Sequence, residues 1–222
     1  MKVELAKQIP SIEDVRILRA KILRWFNKNG RSYPWRETFD PFRVLIAEMM
    51  LRRTKADQVK KVYERIFTEY PDIEAMANSR NKKLQRILQP LGLNWRLPSF
   101  RLVARELRKK YQCRVPQNKP QLMSLPGVGD YVAGAVLSIA YNRKEGIVDS
   151  NIVRLYRRYF ALKTSKEGRR DKYVIEIAKI YASGRKPRKA NLAVLDFTAL
   201  VCTPRKPHCE KCLVCAKCRY IV

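Results

Sequence analysis

Leu125-Pro126-Gly127-Val128-Gly129 lies between two segments whose apolar residues recur at helical spacing. Two glycines two positions apart let the backbone turn tightly and present bare N–H groups at the start of the next helix. That geometry suits a phosphate oxygen, held directly or through a bound cation. It equally suits an ordinary corner between helices that needs glycine for positive φ. It is not a dinucleotide fingerprint, because no strand precedes it and the third glycine is misplaced. It is not a P-loop, because no Gly-Lys-Ser/Thr follows.

Charge tips the balance towards phosphate. The 222 residues include 48 Lys and Arg against 20 Asp and Glu, a net charge of +28. Such an excess repels itself unless a polyanion is near, so nucleic acid is the natural partner, DNA or RNA. An apolar content of 46% is ample for a folded core. No stretch of about 18 apolar residues exists to span a membrane, and Met1–Pro10 has no apolar core of a secretory signal. The expectation is an intracellular protein with no membrane partner. Cysteines in such a compartment are more often metal ligands or buried thiols than disulfides.

Outward from the hairpin, the pattern is helical almost throughout. Ser11 with Asp14 resembles a capping box, opening a helix that Gly30 stops. Asp40-Pro41 reads as an N-cap and first helical residue, followed by an almost wholly apolar helix to about Arg52 that belongs at the centre of a core. Thr54 with Asp57 predicts the cap of a third helix, ended by Pro71. Further helices are expected at 73–77, 84–88, 99–111, 152–160, 173–182 and 191–201, with basic loops at 164–172 and 184–189. No run alternates with period two, so the chain is expected to be all-α, without a sheet.

Two carboxylates stand out. Glu48 is the one charged residue between Arg43 and Arg52 in the most apolar helix. Burial makes such a carboxyl a candidate general acid, or half of an i,i+4 pair with Arg52. Asp149 starts a helix and is a natural N-cap. The helix from 130 to 141 is about 17 Å long, and residues 142–148 span at most about 23 Å. The chain can therefore double back and bring Asp149 beside Tyr131 at the hairpin end. A carboxylate there suits stabilising a cationic sugar or orienting a water molecule.

Cys202, Cys209, Cys212 and Cys218 are spaced C-x6-C-x2-C-x5-C. Four thiolates this close can enclose a [4Fe–4S] cluster, and a four-cysteine zinc site is the alternative. Cys215 sits inside the last interval, so spacing alone leaves the ligand set open. Cys113 reads as a small buried hydrophobe. His208 is the single histidine, which makes histidine-based catalysis improbable. Arg205, Lys206, Lys211 and Lys217 form a basic rim around the cysteines.

Taken together, these residues resemble the helix–hairpin–helix DNA glycosylase superfamily that includes endonuclease III and the adenine glycosylase MutY. The likeness covers nearly the whole chain: Tyr33-Pro34-Trp35, Ile46 to Thr54, Leu125 to Gly129, Val148 to Arg154 and the four-cysteine motif. Within the superfamily the chain is most similar to the archaeal thymine-DNA mismatch glycosylases. The arguments are Leu51-Arg52-Arg53-Thr54, Gly129-Asp130-Tyr131, Asp149-Ser150-Asn151 and Pro204-Arg205-Lys206-Pro207.

The resemblance implies a six-helix domain at 33–143 and an iron–sulfur domain from 1–32 and 144–222. A base flipped from the duplex would lie in the groove between them. Asp149 matches the catalytic aspartate and Glu48 the pocket glutamate. Tyr131 stands where bifunctional members carry a Schiff-base lysine. A phenol cannot form that imine, so the expected enzyme is monofunctional. Gly127, Val128 and Gly129 would hold DNA phosphate. Arg52 and Arg53 match the region that wedges into the duplex, and Leu93 is either a second wedge or a core leucine. The expected substrate is thymine or uracil mispaired with guanine in double-stranded DNA, met by a monomer at the nucleoid. The alternatives are an adenine glycosylase acting opposite guanine or 8-oxoguanine and a non-catalytic DNA-binding iron–sulfur protein. Adenine glycosylases usually carry a further C-terminal domain, whereas this chain ends four residues after Cys218. Three departures stand out: Asp130 where relatives are usually basic, Val132 in place of a hydroxyl residue, and the extra Cys215.

Overall fold

The computed structural model describes residues 10–92, 94–165 and 167–220. Leu93 lies outside the described residues. Among the described residues there is no strand, and the all-α expectation is met. The helices are α1 (Ile12–Asn29), α2 (Pro34–Glu37), α3 (Pro41–Leu51), α4 (Ala56–Glu69), α5 (Ile73–Ala77), α6 (Asn81–Leu88), α7 (Leu97–Tyr111), α8 (Lys119–Met123), α9 (Asp130–Ile139), α10 (Ser150–Phe160), α11 (Lys172–Ala182) and α12 (Pro187–Leu200). Short 3-10 turns occupy Gln89–Leu91, Asn94–Arg96, Cys209–Lys211 and Cys215–Lys217. No helix is long and apolar enough to cross a membrane among the described residues.

Two compact units divide the chain. One is Ser32–Tyr141; the other joins the residues up to Arg31 to those from Asn142 onward. In the first, α3 is the hub. Asp40 caps it, its Oδ1 accepting from the amides of Phe42 at 2.8 Å and Arg43 at 3.2 Å, and Pro41 sets φ for the first turn. Every residue of α3 from Val44 to Met50 is buried, and it packs on α4 and α9. Helix α9 is itself buried from Val132 to Ile139, with small Ala133, Gly134 and Ala135 on its course. Each large side chain so buried stabilises by about 1.5–3 kcal/mol.

In the second unit α1 packs on α12 and α11, and α10 packs on α12. Trp25 meets Phe197 edge to face at 5.3 Å. Arg31 closes this contact on the fully buried Asp196: its Nε and Nη2 donate to Oδ1 at 2.8 and 2.7 Å, and its amide donates to Oδ2 at 2.8 Å.

Three local expectations need correction. Thr54 and Asp57 do not cap α4. The helix starts at Ala56 behind Lys55 with no side-chain cap, because Thr54 gives its hydroxyl to Leu91 O at 3.2 Å and Asp57 accepts from Tyr33 Oη at 3.1 Å. The stretch 184–189 is not all loop: α12 begins at Pro187, with Lys186 in the left-handed region at φ +61°. Burial there pushes the Arg188 guanidinium below its usual pKa. Cys113 is half-buried rather than a core residue, and its thiol donates to Glu74 Oε2 at 3.3 Å.

Candidate active site and cysteine-lined recess

The hairpin joins α8 to α9. Leu125 and Val128 are buried, and the Val128 amide donates to Leu125 O at 3.1 Å to close the turn. Gly127 has φ +78°, and a Cβ there would lie 2.9 Å from Ser99 Cβ and Oγ. Glycine is required twice over, by conformation and by space. Gly129 differs. It is extended, at φ −102°, and a Cβ there would meet nothing within 4 Å. As N-cap it brings no side chain to the first amides of α9, groups of the kind that can hold an anion. Arg52 donates Nη1 to Gly127 O at 2.9 Å, tying the end of α3 to the turn. Asp130 forms an ion pair of 2.9 Å with Lys119 of α8, so its negative charge is offset within the hairpin.

Glu48 is 3% exposed on the inner face of α3. Tyr131 is half-buried in the first turn of α9, the helix packed on α3. Asp149 belongs to the other unit. Its Oδ1 accepts from Ile152 N at 2.7 Å, a plain N-cap. Its Oδ2 accepts from Asn151 Nδ2 at 2.9 Å, which holds the carboxylate against rotation.

That restraint continues. Asn151 Oδ1 accepts from Arg154 Nη1 at 2.7 Å. Arg154 donates Nε and Nη2 to Cys202 O at 3.0 and 2.7 Å, and Nη2 to Thr198 O at 2.9 Å. Burial pushes the Arg154 guanidinium down, while neighbouring Cys202 works the other way. Asp149 is thus joined through two side chains to the backbone of the first cysteine of the tail. Reading the sequence assigned no role to Asn151 or Arg154, although their i,i+3 spacing behind an aspartate cap is the signal that places them in line.

Cys202, Cys209, Cys212 and Cys218 line one recess, with Leu155, Phe197, Val201 and Val214 as apolar walls; Cys215 is not on the lining. Burial, with the neighbouring thiols, pushes Cys212 up to about 11, the Val214 backbone opposing. Cys209 and Cys218 are raised in the same sense, again chiefly by burial. Arg158 donates Nη1 to Cys202 Sγ at 3.5 Å and to Thr203 O at 2.7 Å. The Cys218 thiol donates to Arg158 O at 3.7 Å. Among the described residues no three His, Cys, Asp or Glu side chains converge tightly enough to hold a single metal ion.

A buried acid, a glycine hairpin and a capped aspartate all fall within one family pattern. The chain belongs to the HhH-GPD superfamily of base excision DNA repair proteins, whose family pattern matches residues 46–175. That span contains Glu48, the hairpin, Tyr131 and Asp149. Among particular members, the chain is 37% identical over 206 residues to the thymine/uracil-DNA glycosylase of Methanothermobacter thermautotrophicus, covering 92% of this chain and 93% of that one. It is 32% identical over 208 residues to the thymine-DNA glycosylase of Aeropyrum pernix, covering 89% and 91%. A solved thermostable thymine-DNA glycosylase superposes with a TM-score of 0.85 at 36% identity, over 94% of this chain and 96% of that one. The superfamily likeness seen in the sequence is thereby established.

Proposed function

We propose that this protein is a monofunctional DNA glycosylase that hydrolyses the N-glycosidic bond of thymine or uracil mispaired with guanine. One observation carries the reading: full-length similarity to thymine/uracil-DNA glycosylases in a chain that keeps a carboxylate at 149 and a phenol at 131. In this mechanism the Gly127–Gly129 turn and the first amides of α9 grip the phosphate backbone, and the target base leaves the stack. Glu48 donates a proton to the departing base. The Asp149 carboxylate stabilises the cationic sugar, orients the water that attacks C1′ and takes up the proton that water releases. The products are a free base and an abasic site. Tyr131 occupies the lysine's place and forms no covalent bond to the sugar. The protein meets duplex DNA as a monomer, inside the cell at the nucleoid.

The tail fits a [4Fe–4S] cluster. Four thiols spread around an apolar recess suit a bulky cluster, whereas tetrahedral zinc needs its sulfurs drawn to one ion at about 2.3 Å. Cys202, Cys209, Cys212 and Cys218 would hold it, and when bound it cross-links the C-terminal segment. In this reading residues 33–143 are the hairpin domain, and 1–32 with 144–222 the cluster domain.

The test is a panel of duplexes carrying T, U, A or an oxidised base opposite each partner, scored for free base and for strand breaks before and after alkali. Thymine and uracil should be released opposite guanine, with breaks only after alkali. Asp149→Asn should lower release by about 10²–10⁴-fold. Undiminished release by that variant, or adenine as the base set free, would overturn the assignment.

A further inference from the structure

In the unit Ser32–Tyr141, helices α4 and α6 run antiparallel. Gln58 donates to Pro90 O at one end of the pair, and Lys83 forms an ion pair with Glu69 at the other. The first end adjoins the turn that carries Arg52, whose guanidinium is tied to the hairpin at Gly127 O. The second end lies well away from it: Arg65 and Glu69 are about 13 and 20 Å along the axis from Ala56, the first residue of α4. A recess of about 290 Å³ opens there, at the small end of the range for ligand pockets. Arg65, Thr68 and Glu69 line it from α4, and Lys83, Arg86 and Ile87 from α6.

The lining restricts what the recess can hold. Three cations against one acid give a net charge of +2. Lys83 is engaged with Glu69, whereas Arg65 and Arg86 have no ion pair or hydrogen bond among the described residues. Two open guanidinium forks on one small recess match a multi-oxygen anion. The helix ends offset each other there, the C-terminus of α4 against the N-terminus of α6, so side-chain charge decides. Thr68 already donates its hydroxyl to Glu64 O at 3.0 Å. Its oxygen can therefore only accept, as can the Glu69 carboxylate, and a ligand that satisfies both brings a hydroxyl of its own. Ile87, 4% exposed, adds an apolar patch. Tyr70, next to Glu69 in the chain, is 5% exposed and its Oη has no partner among the described residues. A phosphomonoester carries about −1.5 to −2 at pH 7 and three acceptor oxygens, and in a sugar phosphate it comes with hydroxyls to donate.

We propose that the recess between Arg65 and Arg86 binds a sugar phosphomonoester of about mononucleotide size, at a site separate from the hairpin. The proposal does not rest on the glycosylase reading. A phosphodiester inside a strand carries one negative charge, so a recess of +2 favours a free nucleotide or a phosphorylated strand end over the interior of a duplex.

The experiment measures binding alone. Calorimetric titration of the full chain uses 2′-deoxycytidine 5′-monophosphate, whose base is not an expected substrate, its methyl phosphodiester, and deoxycytidine. The monoester should bind at one site, the diester at least about threefold more weakly, and the nucleoside not at all up to about 10 mM. Arg65→Gln with Arg86→Gln should weaken the monoester at least about tenfold, and change affinity for a duplex with loop-closed ends by less than about twofold. Lys60→Gln with Lys82→Gln removes the same charge from exposed positions of the same helices outside the recess, and should leave monoester binding unchanged. A duplex nicked with a 5′-phosphate, compared with the same nick bearing a 5′-hydroxyl, distinguishes the source. A preference of at least about threefold for the phosphate, lost in the arginine variant, assigns the site to strand ends; binding of the nucleotide without that preference assigns it to free nucleotides. Neither binding nor preference overturns the site, as does monoester affinity that the arginine change leaves intact or the lysine change lowers equally. Both arginines are exposed, so folding should survive; if the double variant unfolds, Arg86→Glu alone should abolish monoester binding, and retention would equally overturn the site.

Discussion

Gly127 and Gly129 stand two positions apart yet meet different demands. Gly127 is held at positive φ against Ser99. Gly127→Ala should therefore destabilise the fold by about 1–3 kcal/mol, read by urea denaturation. Gly129 has room for a methyl group, so Gly129→Ala should cost no more than about 0.5 kcal/mol yet weaken binding to duplex DNA severalfold. Equal effects of the two changes on stability would show that the hairpin glycines serve packing only. At this scale the sequence was informative where a residue contradicts its neighbours. Glu48 is a lone charge in an apolar run, and the structure buries it. Arg96, 2% exposed, was not singled out, although Trp95 and Leu97 flank it. The burial of a cation is decided by three carbonyl or hydroxyl oxygens that come from elsewhere in the chain.

Helix starts were legible where the cap is local. Ser11, Asp40 and Asp149 each accept from amides two or three residues on, so the information lies within one turn of chain. Thr54 looked the same and failed because Leu91 and Arg96 compete for its hydroxyl. The start of α12 was missed although Lys186-Pro187 carries the proline signal, since four basic residues in 184–189 made the stretch look like loop. The tail shows a different limit: spacing cannot choose four thiols out of five, whereas the recess admits Cys202, Cys209, Cys212 and Cys218. Cys215→Ser is therefore expected to keep the visible iron–sulfur absorbance, and Cys212→Ser to lose it. Bleaching by Cys215→Ser would mean that the 3-10 turn Cys215–Lys217 rearranges to supply a ligand.

For the molecule as a whole, class and charge were open to reading, because helical periodicity and a net +28 are properties of the entire chain. Periodicity alone could not reveal what α1 packs on. Its stripe of Val15, Leu18, Ile22 and Trp25 says that one face is buried, not against which later helix. Arg31 and Asp196 join those distant parts. Arg31→Met, which leaves the buried Asp196 without its guanidinium, should cost about 3 kcal/mol in chemical denaturation; a loss under about 1 kcal/mol would make this ion pair incidental. The same separation governs biosynthesis. Arg31 and Asp196 are 165 residues apart, which at ~5–20 residues per second is roughly 8 to 33 s on the ribosome. Ser32–Tyr141 is complete long before then and can fold while translation continues. Over that interval the apolar stripe of α1 lacks its partner helix, waiting for the end of its own chain.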